Sequence, residues 1–266
     1  MSEPSSFCTI CTKKCIHELK SLLSSISLYH NLATVYIICD NPSREALETT
    51  FSKSLNCIWY VELDKYSNLS RSEMTRMNIW SYFQMYKATA IEYSLKHSPD
   101  TLFVDSDVIF LGPVNCIDDT KDLGVSIGYI NQETIDKVGY YNGGFIWTKN
   151  TTMPNRWRHY TKTSRYFDQA SIEDLVKEYT TFIFPEQYNF QPWRFIVGEE
   201  SSNQIESHFN VINNTILYKE QPLQSIHTHF DDQRFYSINQ FLIRLILRAR
   251  MKDIFLIIGN NIRHKN

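Results

Sequence analysis

Strand-like and helix-like segments alternate along the first 110 residues of the chain, and this order restricts the fold more than any other feature. Apolar, β-rich runs predict four strands, at residues 7–12, 35–39, 57–63 and 101–110. The βαβαβαβ order predicts an α/β fold with a mainly parallel central sheet flanked by helices. Such sheets bind ligands beyond the carboxyl ends of their strands, which are marked here by Thr12, Asp40 and Asp105.

The connecting helices have recognisable starts and stops. Pro42 lies just inside a predicted helix that ends near Phe51. Ser70 and Glu73 form a possible capping box, which we expect to open one long helix that Pro99 stops. After residue 110 the pattern is irregular, with short strands near residues 124–129, 144–148, 211–218 and 225–230, helices near 157 and 172, and a long apolar helix from about 238. We expect one domain over residues 1–235 and a C-terminal helical extension over residues 236–266.

The composition narrows the class of protein. Hydrophobic residues make up 42% of 266 residues, which is enough for one sizeable core. The net charge of -2 argues against a nucleic-acid binder, which would usually have a basic excess. The N-terminus lacks the basic start and apolar run of a signal peptide, and no apolar stretch is long enough to span a bilayer. We expect a soluble, cytoplasmic protein.

Three of the six cysteines, Cys8, Cys11 and Cys15, lie close together and raise the alternative of a zinc site. A second Cys or His pair at suitable spacing is missing, and two of the three lie on a predicted strand. Free, mostly buried thiols are the preferred interpretation.

The strongest indication of function is Asp105-Ser106-Asp107, which interrupts the apolar run at 101–110. Two carboxylates two residues apart on an extended chain point to the same face. A buried carboxylate without a partner is costly, and a divalent cation compensates for it. Carboxylate oxygens suit Mn²⁺ or Mg²⁺, which could bridge the phosphates of a nucleotide. The alternative is that both aspartates only cap a turn.

This segment resembles the Asp-x-Asp motif of nucleotide-sugar glycosyltransferases with the GT-A fold, a Rossmann-like α/β architecture. The resemblance is strongest to the glycogenin and bacterial galactosyltransferase group, and it continues through short ordered motifs. It implies a hexosyl- or pentosyltransferase that uses Mn²⁺ or Mg²⁺ and a nucleotide-sugar, with UDP as the expected nucleotide. It implies a glycan, lipid-linked or protein acceptor.

The resemblance also assigns roles along the first half of the chain. Thr9, Cys11 and Thr12, around the end of the first strand, would meet the nucleotide base and ribose, as would Asp40 after the second strand. Two basic residues on the predicted long helix would reach the donor's phosphates or sugar. These are Arg76, with Arg71 as its alternative, and Lys87, for which exposure to solvent is the competing interpretation.

In the second half, Asn142-Gly143-Gly144 resembles the family's Asn-x-Gly turn beside the donor sugar, with an ordinary hairpin turn as the alternative. Asp168-Gln169 resembles the Asp-Gln pair that binds sugar hydroxyls near the reacting carbon, although Asp168 could instead cap a helix.

His227 and His229 alternate along a predicted strand, and one of them resembles the late histidine that completes the metal site. The chain departs from the glycogenin group after these histidines, because Asp231-Asp232-Gln233-Arg234 replaces its Gly and Lys-Pro-Trp. A lysine contact to the diphosphate is therefore missing or is replaced by Arg234.

The resemblance implies a transferase that retains the anomeric configuration of the donor sugar, as relatives with an Asn-x-Gly turn and an Asp-Gln pair do. Glu186 or Asp231 could serve as the base of an inverting enzyme, but neither lies in a recognisable base motif. The rivals are a sugar-nucleotide nucleotidyltransferase, which would usually open with a Gly-rich phosphate loop, and a non-catalytic nucleotide-sugar-binding relative. The apolar and basic segment at 241–250 could lie on a membrane surface, but packing on the core with solvent-exposed arginines is the preferred interpretation.

Overall fold

The computed structural model describes residues 2–230 and 232–263, with side chains described as far as residue 257. Its strands are β1 (Ser6–Cys11), β2 (Thr34–Cys39), β3 (Asn56–Val61), β4 (Thr101–Val104), β5 (Val108–Phe110), β6 (Leu123–Ile127), β7 (Tyr141–Thr148), β8 (Thr181–Ile183), β9 (Phe209–Ile212), β10 (Thr215–Tyr218), β11 (Gln221–Pro222) and β12 (Ser225–His227). Its α-helices are α1 (Ile16–Tyr29), α2 (Asn41–Phe51), α3 (Arg71–Arg76), α4 (Trp80–Gln84), α5 (Tyr86–Leu95), α6 (Gln132–Val138), α7 (Met153–Thr161), α8 (Phe167–Ala170), α9 (Ile172–Glu178), α10 (Arg194–Val197), α11 (Ser202–Ser207), α12 (Tyr236–Arg248) and α13 (Lys252–Arg263).

The central sheet has seven strands in the order β3-β2-β1-β4-β7-β6-β8. Strands β1 to β4 pair in parallel, and β7 runs antiparallel to both of its neighbours. Helices α1 and α2 follow the first two strands and provide the crossovers that parallel neighbours require. The α/β class with a mainly parallel sheet is therefore confirmed, and the carboxyl ends of β1, β2 and β4 meet at one edge.

Alternating side chains of β1 build the two sides of the core. Phe7 and Cys11 pack into one cluster with the fully buried apolar face of α1, whereas Cys8 packs into the cluster on the opposite face of the sheet. Each large apolar side chain buried in this way contributes roughly 1.5–3 kcal/mol. The zinc alternative is wrong, because Cys8 and Cys11 point to opposite faces of the sheet and none of the three cysteines belongs to a group of possible metal ligands among the described residues.

The predicted long helix is wrong. The capping box at Ser70 and Glu73 is present, but α3 ends at Arg76 and is followed by Asn78 in the left-handed region, at φ 57°. The chain then continues as the two short helices α4 and α5. An asparagine tolerates this conformation better than most residues do.

The predicted fourth strand is interrupted. Strand β4 ends at Val104, and a turn follows in which the amide of Val108 donates to the carbonyl of Asp105 at 3.2 Å. Strand β5 then leaves the central sheet and pairs antiparallel with β12. The expectation of two aspartates on one extended strand is therefore wrong, because they lie in the turn between two sheets.

The predicted C-terminal helix is divided into α12 and α13, with Arg250 in the left-handed region at φ 52° between them. The apolar face of α12 is buried in a third cluster that includes Ile109 and Phe190, and its arginines Arg244 and Arg248 are exposed. In the structure, the apolar face of α12 therefore packs on the core. Over the described part of the chain, every helix is too short or too polar to cross a bilayer.

Candidate active site

A cleft of about 310 Å³ opens beside the carboxyl end of β4. The predicted site residues that line it are Lys87, Asp105, Asn142, Gly143, Gly144, Asp168, Gln169, His227 and His229. They come from α5, the β4–β5 turn, the start of β7, helix α8, and the end of β12 with the segment after it. Residues from positions 87 to 229 therefore meet in one place, and aromatic side chains of Trp80, Tyr166 and Trp193 form part of its wall.

Lys87 lies at the centre of the charged part of this cleft and is buried, so the alternative of a solvent-exposed lysine is wrong. Its Nζ lies 3.0 Å from Asp105 Oδ1 and 3.1 Å from Asp168 Oδ2, and it donates to the carbonyl of Gly143 at 3.1 Å. Burial disfavours the ammonium, but the two carboxylates outweigh this effect and raise the pKa of Lys87. Lys87 thus joins helix α8 to the turn at residues 105–107 between β4 and β5, which we call the acidic turn.

Asp107 faces two imidazoles. His227 Nε2 lies 2.8 Å from Asp107 Oδ1, and His229 Nδ1 lies 2.9 Å from Asp107 Oδ2. Burial opposes ionisation of Asp107, but contact with the two histidines holds its pKa well below the usual range. Asp105 is different, because burial raises its pKa in spite of the nearby Lys87. If the two aspartates only capped a turn, the contact of Asp105 with Lys87 and the contacts of Asp107 with the two histidines would have no explanation.

The ligand atoms of Asp107, His227 and His229 all lie within 4.8 Å of one another. Asp105 Oδ2 is 3.9 Å from His227 Nε2, so it borders this group while its carboxylate pairs with Lys87. His229 Nε2 is buried and has no hydrogen-bond partner among the described residues. Carboxylate and imidazole groups with a spare buried nitrogen fit a divalent cation such as Mn²⁺.

The two histidines reach Asp107 by different routes. His227 ends β12, whereas His229 lies beyond the strand in the left-handed region, at φ 47°. Their rings stack with centroids 4.7 Å apart. The predicted alternation along one strand is therefore wrong, although both side chains arrive at the same carboxylate.

The two glycines of Asn142-Gly143-Gly144 are needed by the site itself. These residues belong to β7, so the hairpin-turn alternative is wrong. A Cβ added at Gly143 would lie 2.7 Å from Asp168 Oδ2, and one added at Gly144 would lie 2.7 Å from His227 Cε1 and collide with Asp105 Oδ2. Only glycine lets both carboxylates approach the strand this closely.

Asp168 does not cap a helix, because it lies inside α8, whose N-cap is Tyr166. Its carbonyl accepts from Trp157 Nε1 at 3.0 Å and from the Ser171 hydroxyl, which fixes the backbone while the carboxylate reaches Lys87. Phe167 precedes it in the left-handed region, at φ 40°. Gln169 follows it and lines the cleft.

The residues predicted to bind the nucleotide are placed outside the cleft lining. The Asp40 carboxylate caps α2 by accepting from the amide of Ser43 at 3.1 Å, and it also accepts from the amide of Lys13 at 2.8 Å. Thr9 and Cys11 are buried within β1, and Thr12 follows that strand. Their roles remain predictions.

Two further predicted residues also lie outside the cleft. Ser106 lies between the two aspartates in the acidic turn and is buried, with 9% exposure. Arg76 is exposed at the end of α3, whereas its alternative Arg71 lines the cleft and donates to the hydroxyl of Tyr166 at 3.3 Å. Arg71 is therefore better placed than Arg76 to contact a ligand in the cleft.

Sequence reasoning missed two buried amides. Gln191 Nε2 lies 3.2 Å from His227 Nδ1, and Gln191 Oε1 accepts from Asn142 Nδ2 at 3.3 Å. Asn189 Nδ2 donates to Asn142 Oδ1 at 3.2 Å. The sequence offered one indication of them, because these two amides flank Phe190, which is fully buried, in an otherwise irregular segment.

The other candidates outside the cleft are accounted for by local pairs. Glu186 pairs with Arg194 at 2.8 Å and with Lys219 at 3.1 Å. Arg234 pairs with Asp232 and lies over the ring of Trp193, with 4.9 Å to its centroid. Asp231 lies outside the described residues.

The sheet order, the acidic turn after β4 and the flanking helices define the GT-A glycosyltransferase fold. The sequence matches no protein-family model and no curated protein. Mouse xyloside xylosyltransferase 1 is similar in structure, with a TM-score of 0.52 and 10% identity over 85% of this chain and 98% of that one.

Two further glycosyltransferases are also similar in structure. The glycosyltransferase GlyE of Streptococcus pneumoniae has a TM-score of 0.58 and 12% identity over 99% of this chain, which spans 64% of GlyE. The galactosyltransferase LgtC, solved with donor and acceptor sugar analogs, has a TM-score of 0.56 and 14% identity over 91% of this chain and 95% of that one. At these identities the likeness establishes the fold.

Proposed function

We propose that this protein is a glycosyltransferase that moves a hexose or pentose from a nucleotide-diphosphate donor, with UDP as the nucleotide, to an acceptor hydroxyl. The observation that carries the proposal is the meeting of two charged groups at one cleft of a GT-A fold. One group is Lys87 with Asp105 and Asp168. The other is His227 and His229, which line the cleft, with Asp107, which contacts both histidines. A fold alone does not fix an activity, whereas these side chains supply specific chemistry.

Asp107, His227 and His229 would hold Mn²⁺ or Mg²⁺, with Asp105 at the border of the site. When bound, such an ion supplies positive charge that stabilises a leaving diphosphate. The protein's own contribution is to hold the Asp107 carboxylate ionised between two imidazoles. It also orients that carboxylate, since the carbonyl of Asp107 accepts from both the amide and the hydroxyl of Thr228 at 2.8 Å.

The other end of the cleft suits a sugar. Asp168 is fixed by Lys87 and can accept from sugar hydroxyls, and the amides of Gln169 and Asn142 can both donate and accept. An ionised Asp168 near the reacting carbon would stabilise positive charge that develops there. Trp80, Tyr166 and Trp193 form an aromatic wall that would limit access of water to a sugar bound in this region.

The proposal includes retention of the donor's anomeric configuration. An inverting enzyme needs a base on the acceptor side. Glu186 is engaged by Arg194 and Lys219 and does not line the cleft, which argues against its use as that base. In a retaining reaction the departing diphosphate can take the acceptor proton on the same face.

The acceptor we propose is a glycan, a lipid-linked sugar or a protein, and residues 1–235 would form the transferase domain. The extension at 236–266 would remain packed on that domain, and its exposed arginines Arg244, Arg248 and Arg250 would be available to an anionic membrane surface.

A thermal-shift panel of nucleoside diphosphates and nucleotide-sugars, with and without Mn²⁺, tests the proposal. A ligand that binds only the native state raises the unfolding midpoint. We expect UDP and one UDP-sugar to give the largest Mn²⁺-dependent shift, and Asp107→Asn to abolish it while Asp118→Asn, which lies outside the cleft lining, keeps it. The absence of a shift with every nucleoside diphosphate would contradict a transferase.

A further inference from the structure

Gln191 lies between the proposed metal ligand His227 and the sugar-side residue Asn142. Its Nε2 is 3.2 Å from His227 Nδ1, and its Oε1 accepts from Asn142 Nδ2 at 3.3 Å. Gln191 is 1% exposed and His227 is 2% exposed, so water is not available to replace either partner. The side-chain amide of Gln191 is therefore a direct link between the two ends of the cleft.

A backbone group fixes the orientation of this link. The Gly144 N–H can only donate, and it donates to Asn142 Oδ1 at 2.9 Å. Asn142 must then present its Nδ2 to Gln191, and Gln191 must present Oε1 to Asn142 and Nε2 to His227. Because an NH₂ group can only donate, Nδ1 of the neutral His227 ring is an acceptor, and the ring proton lies on Nε2, toward Asp107 Oδ1 at 2.8 Å.

Coordination of a cation by His227 Nε2 requires the opposite tautomer. The lone pair of Nε2 must then face the cation, so the ring proton moves to Nδ1 and needs an acceptor. Gln191 can provide this acceptor only if its side-chain amide rotates by 180°, so that Oε1 faces His227. The rotation places the NH₂ group of Gln191 against the NH₂ group of Asn142. Two donors cannot satisfy each other, so Asn142 Nδ2 loses its partner and becomes available in the cleft.

We propose that Gln191 is a positioning residue that couples cation binding at His227 to release of the Asn142 amide for a hydroxyl of the donor sugar. This inference rests on the proposed function. Binding of the cation and of the sugar then favour each other, and by thermodynamic linkage the effect is equal in both directions. Nucleotide without sugar does not need the Asn142 amide and takes no part in the coupling.

Two substitutions separate this role from simple packing. Gln191→Met keeps the length of the side chain and removes both hydrogen-bonding groups. Gln191→Glu can accept from His227 Nδ1 and from Asn142 at the same time, so it suits the metal-binding tautomer without releasing Asn142. Gln187→Met is the matched control, since it makes the same change four residues away, outside the cleft.

The first readout is the Kd of Mn²⁺ alone, measured by electron paramagnetic resonance of the free ion. We expect Gln191→Met to weaken binding roughly 10–100-fold. Gln191→Glu should bind at least as tightly as the parent, and the control should be unchanged. The ratio of Kd values for a UDP-sugar and for UDP should fall with Mn²⁺ in the parent and stay constant in both Gln191 variants.

The second readout is the tautomer of His227 by ¹⁵N NMR at alkaline pH, with Zn²⁺ as a diamagnetic cation. The parent should carry its ring proton on Nε2 without metal and on Nδ1 with Zn²⁺, and metal-free Gln191→Met should show a mixture. A metal-free parent with the proton on Nδ1, or equal Mn²⁺ Kd values for the parent and Gln191→Met, would overturn the coupling.

The outcomes for the two proposals are distinct. If Mn²⁺ binds and the tautomer changes as expected but no nucleotide binds, the coupling within the metal site stands and the transferase proposal fails. If nucleotide-sugar turnover is present and the Gln191 variants behave like the parent, the transferase proposal stands and the coupling is wrong. A parent that binds no Mn²⁺ contradicts both.

Discussion

Lys87 Nζ lies 3.1 Å from Asp168 Oδ2, although the two residues are 81 positions apart and belong to different helices, α5 and α8. Both side chains are buried, with exposures of 6% and 9%. Each charge therefore depends on the other, because water cannot compensate for the loss of either one. The pair holds the sugar side of the cleft at a fixed distance from the acidic turn.

Removing the ammonium should be strongly destabilising. Lys87→Met leaves the buried Asp168 and the half-buried Asp105 without their common partner, and we expect a loss of about 3–5 kcal/mol in the free energy of unfolding, measured by urea denaturation. The exposed lysine of the Lys177–Asp174 pair provides the control, since Lys177→Met should leave the midpoint unchanged. An unchanged midpoint for Lys87→Met would show that the buried pair contributes nothing.

A single methyl group should damage the metal site. In Gly144→Ala the added Cβ would lie 2.7 Å from His227 Cε1 and collide with Asp105 Oδ2, so both side chains must move. We expect Mn²⁺ affinity to fall at least tenfold while the circular dichroism spectrum is retained. Gly128→Ala is the control, because its nearest added contact is an ordinary 3.6 Å from Ile130 Cδ1. Equal loss in both variants would rule out this steric explanation.

His30 should make stability depend on pH. Its Nε2 accepts from the amide of Val114 at 3.1 Å, and its Nδ1 lies 3.2 Å from Glu3 Oε2. Burial lowers the pKa of His30 below its usual 6.5, although Glu3 opposes the shift. The unfolded state therefore takes up a proton first as the pH falls through 6.5, and stability decreases there until the lower native pKa is reached.

The comparison with His30→Asn isolates this contribution. The variant removes the titrating group, so the difference in unfolding free energy between the parent and the variant should shrink as the pH falls from neutral through the mildly acidic range. Urea denaturation at a series of pH values gives the two curves. Parallel curves would contradict a role for His30 in the pH dependence.

Retention predicts the linkage of the product. An α-linked donor should give an α-linked product, which proton NMR of the freshly formed linkage identifies. Gln169→Ala should lower kcat more than it weakens donor binding, because the amide is expected to act near the reacting carbon. A β-linked product would refute retention and would return Asp231 to consideration as a base.

Strands β1 and β2 could be predicted because parallel strands buried on both faces are continuous apolar runs, and the half-buried edge strand β3 was found from the same kind of run. The fourth run predicts one strand, although the chain turns at Asp105. The residues on both sides of the turn are equally apolar, and three polar residues on a strand that bind a metal produce the same pattern as three polar residues in a turn. Asn78 likewise ends a helix through a backbone angle that the surrounding apolar spacing does not reveal.

The sequence by itself determined that the fold is α/β and that an acidic pair follows the fourth apolar run, because strand hydrophobicity and isolated charge are local properties. Only the tertiary structure decided that Asp107 faces both His227 and His229, that Lys87 joins Asp105 to Asp168, and that Gln191 connects His227 to Asn142. These contacts join residues far apart in the chain. Their formation depends on how β4, β7, β12 and α8 pack at one edge of the sheet, and that packing is a property of the whole chain.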